Sequence, residues 1–395
     1  MIGGLNALKK LLLLCSTIVF AFANEKFLSE KKLQTLQLQQ QQAQYDAKIL
    51  QKSWISPLIF SYEQNRNDTL SQNTTTKAIT IDQPVFRSGG IYNAIRYGQS
   101  VRDSSLQNIQ QQKHELIGAA IEHLYNYKKT QKMVAKQELL IKNNALEIET
   151  KQEQYLSGLI DSIELDRALL ERNQNKTALI DLKESLHAIQ TEFEKISDLD
   201  IQNTQAPRFS LLSKEQFVQN NLHYHVAQSD MYSKRYQRNM TVSAYLPEVS
   251  LYGRYSEVDN RPVNQPTAQS EYGVRVSIPL DINSYGDIQS QRLEYMQASV
   301  ALEDIKRSLK AEYQQIERAL GFIEQRVALT KEDKKLYKSL VQKTKDQVFV
   351  GTQTPRDLKT MQNSYAIKKL DQKIYEYEKN ILLLSLYMQT YGVKE

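Results

Sequence analysis

Apolar and polar residues alternate in two pairs of short segments along this chain, and a long stretch with helical periodicity follows each pair. The first pair lies within residues 53–86 and the second within residues 244–280. Hydrophilic residues at 65–76 and 256–270 separate the two segments of each pair. Alternation with a period of two predicts β-strands joined as hairpins. The order strand, strand, long helix therefore occurs twice.

The alternation is clearest in the last predicted strand. Its apolar side carries Tyr272, Val274, Val276 and Ile278, and its polar side carries Gly273, Arg275 and Ser277. About ten residues is the length of a tilted strand that crosses a bilayer, with lipid on the apolar side and a wet interior on the other. The pattern therefore predicts a transmembrane β-barrel, with Arg254 and Arg275 facing its lumen.

Aromatic residues are concentrated near these strands. The chain has 23 tyrosines against 10 phenylalanines, and tyrosine and tryptophan favour the membrane–water interface because their rings are amphipathic. We expect this surface to contact membrane lipid. The residues predicted to form interface girdles are Trp54, Tyr62, Tyr245, Tyr252, Tyr255 and Tyr272.

Four strands per chain are too few to close a barrel, because small barrels need about eight and open sheet edges are not tolerated in lipid. Several chains must therefore pool their strands. A dimer would supply about eight strands and a trimer about twelve, and both fall within the range of known barrels. The residues themselves leave these two alternatives open.

The two long stretches, residues 91–156 and 286–350, contain no proline and predict helices of roughly 100 Å at about 1.5 Å per residue. In the second stretch apolar residues recur at spacings of three and four, at Ala298, Leu302, Ile305, Leu309, Tyr313, Ile316, Leu320, Ile323 and Val327. A period near 3.5 predicts packing against neighbouring helices in a supercoil. The first stretch follows the same rhythm with smaller or more polar residues.

Each long helix is predicted to end at a glycine and to be followed by a returning helix. Gly158 precedes the first returning helix, at about residues 160–197, and Gly351 precedes the second, at about residues 355–390. Glycine just past a helix end is a common stop signal. Both copies are therefore expected to fold back as helical hairpins.

The chain thus divides into two structural repeats, residues 24–198 and 214–395, joined by an irregular linker at 199–213. Each repeat contains a helix, a strand pair, a long helix and a returning helix. The predicted fold class is mainly α, with a transmembrane β-barrel portion to which both repeats contribute.

The first 23 residues have the pattern of a secretory signal peptide. Lys9 and Lys10 precede an apolar run at residues 11–22, which is too short to span a membrane as a helix and ends at a small-x-small cleavage site. The only cysteine, Cys15, lies inside this run and is expected to be removed with it. No later apolar stretch reaches 18 residues, so a membrane crossing would have to use strands.

Charge and composition exclude several function classes. Basic residues outnumber acidic ones only by 51 to 45, and this small excess gives no case for nucleic-acid binding. His223 and His225, two residues apart, face different sides of a helix and are poor metal partners. No nucleophile, base and acid stand in a recognisable pattern, so we expect no catalytic residues, no metal and no cofactor.

Short motifs at equivalent places in the two repeats narrow the fold further. Residues 83–86 read QPVF and are followed by two glycines, residues 277–280 read SIPL, and the glycine turns at Gly158 and Gly351 follow the two long helices. Each motif alone is weak, but their shared order and spacing are specific. Over essentially the whole mature chain, the sequence resembles the TolC family of outer-membrane efflux channels.

This resemblance implies a homotrimer, with a 12-strand β-barrel that continues into a 12-helix α-barrel. It implies an exit duct for a tripartite efflux or type I secretion system, a passive conduit and not an enzyme. The partners would be a periplasmic adaptor (membrane fusion) protein and an inner-membrane transporter. The channel would lie in the outer membrane of a Gram-negative bacterium, with its helical part in the periplasm.

The resemblance also implies roles for residues at the hairpin tips. Asp357 and Glu164 correspond to a pore-closing ring of acids, in which crowded like charges raise one another's pKa. Thr360 and Gln353 depart from the family pattern, which carries a second acid and can carry an arginine there. An alternative interpretation is that both acids simply favour a helix N-terminus. The candidates for adaptor contact are Gly158, Leu159, Gly351 and Thr352.

Two other classes of protein remain as alternatives. A trimeric coiled-coil surface or periplasmic structural protein would explain the secretion signal and the long polar helices, but it has no use for duplicated strand pairs. A periplasmic adaptor subunit would also carry helical hairpins, but it normally contains only one, within a β domain rich in glycine and valine.

Overall fold

The structure is a computed structural model that describes residues 25–67, 72–261 and 267–390 of the 395-residue chain. The predicted signal peptide, including Cys15, lies outside the described residues. The centres of the two predicted strand-to-strand loops lie outside them as well.

The element order repeats as the sequence pattern predicts, except that two helices and not one precede the strands of the second repeat. The helices are α1 (Glu30–Gln51), α2 (Gly90–Leu156), α3 (Ser162–Glu194), α4 (Lys214–Gln219), α5 (Leu222–Ala244), α6 (Ser284–Phe349) and α7 (Pro355–Met388). The strands are β1 (Ile59–Asn67), β2 (Gln72–Phe86), β3 (Glu248–Arg261) and β4 (Thr267–Ser277). None of the helices in the described ranges is both long enough and apolar enough to cross a membrane.

The four strands form one antiparallel sheet in the order β1-β2-β3-β4. The central pairing of β2 with β3 joins the two sequence repeats, and it places Ile79 opposite Tyr255 and Asp82 opposite Tyr252. Within the described residues, β1 pairs only with β2 and β4 only with β3. The sheet therefore has two edge strands, one from each repeat.

The strands extend further into the hydrophilic segments than the sequence pattern predicts. Residues 72–76 and 256–261 were expected to be loop but pair within the sheet. β2 begins in a run that includes Thr74, Thr75 and Thr76, and β-branched threonine fits a strand well despite its polarity. At the other end, residues 53–58 form turns and irregular backbone, not strand, and Pro57 there lacks the N–H that a sheet ladder needs.

The chain forms two compact units, and these do not follow the two sequence repeats. In the first unit the described residues are 25–36, 111–221 and 308–390. Its core is a cluster of buried side chains, formed by Phe27, Ala120, Ile121, Leu124, Tyr125, Tyr127, Phe193, Ile201 and Leu384. Ile201 belongs to the predicted linker, so this irregular segment is packed into the core and is not a free connection.

Helix α6 shows why the repeat of 3.5 residues was a reliable signal. Six of the apolar residues that define the pattern are buried: Leu302, Leu309, Tyr313, Ile316, Leu320 and Ile323. Burial of one stripe against neighbouring helices is the physical cause of this periodicity. The prediction of a packed seam along α6 is therefore confirmed.

The second compact unit contains the sheet and the helical segments next to it, within residues 37–110 and 222–307. Between β2 and α2 the backbone turns through Ser88 and Gly89, at φ 46° and 86°. Ser88 Oγ donates a hydrogen bond to the carbonyl oxygen of Pro247 at 2.7 Å. This bond ties the start of α2 to the start of β3.

Candidate functional site

One face of the sheet is apolar and exposed. The pairing register brings onto this face a set of side chains that we call the apolar band: Phe60, Tyr62, Ile79, Ile81, Leu251, Tyr255, Tyr272, Val274 and Val276. Each of them is exposed, from 39% for Ile81 to 85% for Tyr272. A contiguous apolar patch of this kind marks an interaction with a membrane or another protein.

The opposite face of the sheet is polar. Arg275 forms an ion pair with Asp82, and its guanidinium lies over the ring of Tyr252, 4.8 Å from the ring centre. A Cβ atom at Gly273 would come within 2.8 Å of this tyrosine ring, so any larger residue there would require the ring to shift. Arg254 lies on the same face, as its pairing with Thr80 requires. Both predicted lumen arginines therefore share the polar face.

The aromatic residues predicted to form interface girdles lie in different environments. Tyr62, Tyr255 and Tyr272 belong to the apolar band. Tyr252 lies on the polar face beneath Arg275, because it is three positions from Tyr255 and side chains an odd number of positions apart point to opposite faces of a strand. Outside the sheet, Trp54 lines a cavity.

Tyr245, the remaining girdle candidate, precedes β3. Its hydroxyl donates a hydrogen bond to the carboxylate of Asp287 in the first turn of α6. This contact gives the phenol a polar partner near the sheet, which is the environment that interface tyrosines favour.

The two hairpin turns in the first unit have the same backbone geometry. Gly158 and Gly351 adopt left-handed backbone angles, at φ 72° and 79°. After α2, Leu159 N donates to the carbonyl of Gln154 at 2.8 Å, and after α6, Thr352 N donates to that of Gln347 at 2.9 Å. These six-to-one hydrogen bonds define a Schellman motif, which favours glycine at its left-handed position.

Large apolar side chains are exposed at both turns. Leu156 and Leu159 are 84% and 75% exposed beside Gly158, and Phe349 and Val350 are 92% and 68% exposed before Gly351. Of these, only Leu159 was a candidate for adaptor contact. The sequence signal that could have found the others is a large apolar residue two positions before each turn glycine, Leu156 before Gly158 and Phe349 before Gly351.

Glu164 lies in the first turn of α3, which is capped by Asp161. The backbone N–H of Glu164 donates to Asp161 Oδ1 at 3.2 Å. Its carboxylate accepts hydrogen bonds from Lys151 Nζ at 3.1 Å and from Arg167 at 2.8 Å. The bond from Lys151, followed by the charges of both cations, lowers the pKa of Glu164 below its ordinary value.

Asp357 belongs to the capping box of α7. Its carboxylate accepts hydrogen bonds from Thr354 Oγ1 at 2.7 Å and from Thr354 N at 2.9 Å, and its own N–H donates to Thr354 Oγ1. These bonds lower the pKa of Asp357. The sequence-based expectation was a pKa raised by a ring of like charges, so the contacts within one chain act in the opposite direction. The helix-capping interpretation accounts for these contacts.

Arg356, next to Asp357, was not singled out from the sequence. Its guanidinium donates two hydrogen bonds to the carboxylate of Glu153, at 2.7 and 2.5 Å, and lies 3.5 Å from Glu149. This pairing joins the first turn of α7 to the last turns of α2. It also lowers the pKa of Glu153 and raises that of Arg356.

Polar contacts fix which helices are neighbours in the first unit. Asn363 Nδ2 donates to Asn143 Oδ1 at 2.8 Å, so α7 packs on α2. Gln137 of α2 donates to Asn175 of α3 at 2.8 Å. Lys368 of α7 pairs with Asp333 of α6 at 2.8 Å. These contacts show that the four helices pack side by side in the order α3, α2, α7, α6. The flanking helices are therefore α3 and α6.

Both flanking helices carry exposed apolar side chains. On α6 these are Phe322, Leu329 and Leu336, spaced seven residues apart and exposed by 62%, 61% and 55%. On α3 they are Ile163, Leu170 and Ile180, exposed by 55%, 61% and 65%. The heptad spacing on α6 favours packing against another helix.

In the part of the chain that the structure describes, no group of three or more His, Cys, Asp or Glu side chains could hold a metal ion. The ionisable groups described above form ion pairs, helix caps and hydrogen bonds between helices. The exposed apolar surfaces are thus the apolar band on the sheet, the apolar side chains of the flanking helices α3 and α6, and the apolar side chains at the two glycine turns.

Comparison with known proteins gives matches at the level of structure. Neither a protein-family model nor a curated protein sequence matches the chain. The Campylobacter jejuni CmeC outer membrane channel superposes with a TM-score of 0.73 at 14% identity, over 94% of this chain and 86% of that one. The outer membrane protein VceC of Vibrio cholerae gives 0.72 at 11% identity, over 95% and 97%.

A third similar structure is the open state of the Neisseria gonorrhoeae MtrE outer membrane channel. It has a TM-score of 0.69 at 10% identity and covers 91% of this chain and 86% of that one. The agreement extends over nearly the full length of each chain. The resemblance inferred from the sequence is therefore confirmed for the fold, and this chain has the fold of the TolC family of outer-membrane channels.

Proposed function

We propose that this chain is one subunit of an outer-membrane channel that serves as the passive exit duct of a tripartite efflux or type I secretion system. The observation that carries the proposal is the apolar band, which lies exposed on a four-stranded sheet within a fold shared with outer-membrane channels. An apolar face of this kind is unfavourable in water and favourable in lipid.

The edges of the sheet support assembly from several chains. Unpaired backbone N–H and C=O groups are costly in hydrocarbon, so only closed barrels span membranes as strands. Within the described residues, β1 and β4 each pair on one side only. Pairing β4 of one chain with β1 of the next closes the sheet. Three chains with four strands each would give twelve strands, in keeping with the trimer that the resemblance implies.

The flanking helices of the first unit support the same assembly. The exposed stripe of Phe322, Leu329 and Leu336 on α6 is unfavourable in water. In a ring of subunits, α6 of one chain would pack beside α3 of the next and bury the exposed apolar side chains of both helices. Three chains with four long helical segments each would form a continuous α-barrel of about twelve helices.

The hairpin tips are the proposed docking surface for a periplasmic adaptor protein, itself bound to an inner-membrane transporter. Leu156, Leu159, Phe349 and Val350 present exposed apolar area there, and buried apolar anchors provide most of the energy at protein interfaces. The sheet would lie in the outer membrane of a Gram-negative bacterium, and the helices would extend into the periplasm.

Expression of the full-length chain in a Gram-negative host tests the proposal. We expect the mature protein in the outer-membrane fraction, with electrophoretic migration that shifts on heating and ion conductance in planar bilayers. The apolar band predicts the first two results, because strand closure in lipid resists detergent until heated. Recovery of the mature protein as a soluble periplasmic monomer would contradict the proposal.

A further inference from the structure

Two adjoining cavities in the second unit form one polar groove along α2. The first, of about 200 Å³, lies between α2 and α5, and the second, of about 310 Å³, lies between α1 and α2. Asp103 lines both cavities, so they meet at this residue. We call this surface the polar groove, and the lining residues that bear on binding are Lys48, Arg96, Gln99, Arg102, Asp103 and Tyr232.

The polar groove carries an excess of positive charge. Arg102 donates to Asp103 Oδ1 from Nε at 3.0 Å and from Nη2 at 2.8 Å, so the one carboxylate of the groove is already neutralised. Lys48 and Arg96 are both exposed. In the described part of the chain they contact tyrosine rings and a glutamine but form no ion pair. Two positive charges are therefore available to an anionic partner.

The polar groove lies on the side of α2 that is opposite to the polar face of the sheet. Glu248 pairs with Ser277, two residues beyond Arg275, so Glu248 belongs to the polar face. Ala94 of α2 lines a cavity together with Glu248. Asp103 follows Ala94 by nine residues, which is about two and a half helical turns and places it on the other side of the helix. If the polar face lines the lumen, the groove faces the periplasm outside the duct.

The other lining residues suit a sugar chain. The side-chain amide of Gln99 both donates and accepts hydrogen bonds, as sugar hydroxyls require. Tyr232 is 40% exposed, and its ring offers a flat apolar face for the C–H groups of a sugar ring and a hydroxyl for a polar group. Arg96 and Arg102 are six residues apart on α2, about 9 Å along the helix. An extended polymer fits this arrangement better than a compact ligand.

We propose that the polar groove binds peptidoglycan, the glycan polymer of the periplasm whose peptide side chains carry carboxylates. Lys48 and Arg96 each bind one carboxylate, while Gln99 and Tyr232 contact the sugar rings. Binding at this surface attaches the duct to the cell wall without obstructing its lumen. The inference rests on the proposed function, because that function places the outer surface of α2 in the periplasm.

Co-sedimentation of the full-length assembly in detergent with purified insoluble peptidoglycan tests the inference. We expect saturable binding that weakens as salt is added, because exposed charge pairs are screened. Lys48→Gln and Arg96→Gln should each weaken binding about two- to fivefold, the contribution of one exposed ion pair, and the double variant should weaken it further. Tyr232→Leu should weaken binding without changing its salt dependence, because it removes a ring but no charge. Heat-modifiable migration confirms that each variant assembles.

The matched control removes the same charges from α6, which does not line the polar groove. Arg292 and Lys306 belong to the second unit and line neither cavity. Arg292→Gln combined with Lys306→Gln should leave the binding of peptidoglycan unchanged. Soluble muropeptides should displace the protein from insoluble peptidoglycan, whereas poly-glutamate at the same carboxylate concentration should displace much less, because it has no sugar.

Three results would overturn the inference: no sedimentation of the unaltered protein, unchanged binding in the double variant of Lys48 and Arg96, or an equal loss in the control variant of Arg292 and Lys306. Equal displacement by poly-glutamate and by muropeptides would also overturn it, since the groove would then take any acidic polymer. Conductance distinguishes this inference from the proposed function. A conducting assembly that does not bind peptidoglycan refutes the inference alone, whereas failure to insert into bilayers refutes the function.

Discussion

The guanidinium of Arg356 holds the carboxylate of Glu153 through two hydrogen bonds, 2.7 and 2.5 Å long, across 203 residues of sequence. Arg356 begins the second returning helix, and Glu153 lies one turn before the end of the first long helix. The bidentate geometry is the strongest form of arginine–carboxylate contact. The pair therefore links the tips of the two helical hairpins within one chain.

Breaking this pair should let the tips separate. We expect Arg356→Gln to raise the single-channel conductance in planar bilayers severalfold, because the helical end of the duct would open more easily. Lys359→Gln provides the matched control, since it removes an exposed positive charge from the same turn region of α7. Equal conductance in Arg356→Gln and the unaltered protein would show that the tips are held by other contacts.

The pH dependence of this link follows from the pKa of Glu153. The hydrogen bond from Arg356 lowers this pKa below the ordinary value of 4.5. A lowered pKa means that the pair contributes stability above pH 4.5 and loses it as the pH falls through the lowered pKa. We expect conductance to stay constant from neutral pH down to about 4.5 and to rise only below it.

The pKa of Asp357 is lowered as well, to below 3.8, because its carboxylate accepts hydrogen bonds from Thr354. The carboxylate should therefore stay ionised at pH 5. Block of the channel by divalent cations, if Asp357 forms the predicted ring, should therefore persist at pH 5. Asp357→Asn should relieve this block, whereas Asp166→Asn, at an acid further along α3, should not. A block that disappears between pH 7 and 5 would instead indicate a raised pKa from crowded carboxylates.

The sequence predicted the helices better than the strands for a physical reason. Gly158 and Gly351 mark the helix ends because left-handed backbone angles exclude most side chains. The strand ends have no comparable marker. The polar run at Thr74, Thr75 and Thr76 pairs through its backbone, and the alternation of apolar and polar side chains gives no sign of this pairing.

At the hairpin tips, the sequence predicted which residues lie near the turns but not which side chains contact one another. The spacing of Thr354 and Asp357 is that of a capping box, a local feature that the sequence contains. The pairing of Arg356 with Glu153 connects residues 203 positions apart, so no local pattern carries it. Similarly, Tyr252 was grouped with Tyr255 by residue type, although the strand period places them on opposite faces.

The two glycine turns offer a direct test of the hairpin geometry. Gly158→Ala and Gly351→Ala should each destabilise the helical hairpins by about 1–2 kcal/mol, because a Cβ at a left-handed position costs about that amount. Gly321, inside α6, has open space around it and no such backbone angle. Gly321→Ala should stabilise the protein by about 0.5–1 kcal/mol. Thermal unfolding followed by helical circular dichroism measures both signs, and a loss of stability at all three positions would contradict the assignment.

The two faces of the sheet should respond differently to a charge. Val274 lies in the apolar band at 64% exposure, and a lysine facing the lipid midplane costs about 2–4 kcal/mol. We expect Val274→Lys to reduce the heat-modifiable form in the outer membrane strongly. Gln269 is also in β4 but on the polar face, opposite Ser256, so Gln269→Lys would point into water and should assemble normally. Both variants add the same charge to the same strand, so a difference between them measures the environment of each face. Equal assembly of the two variants would mean that the apolar band does not face lipid.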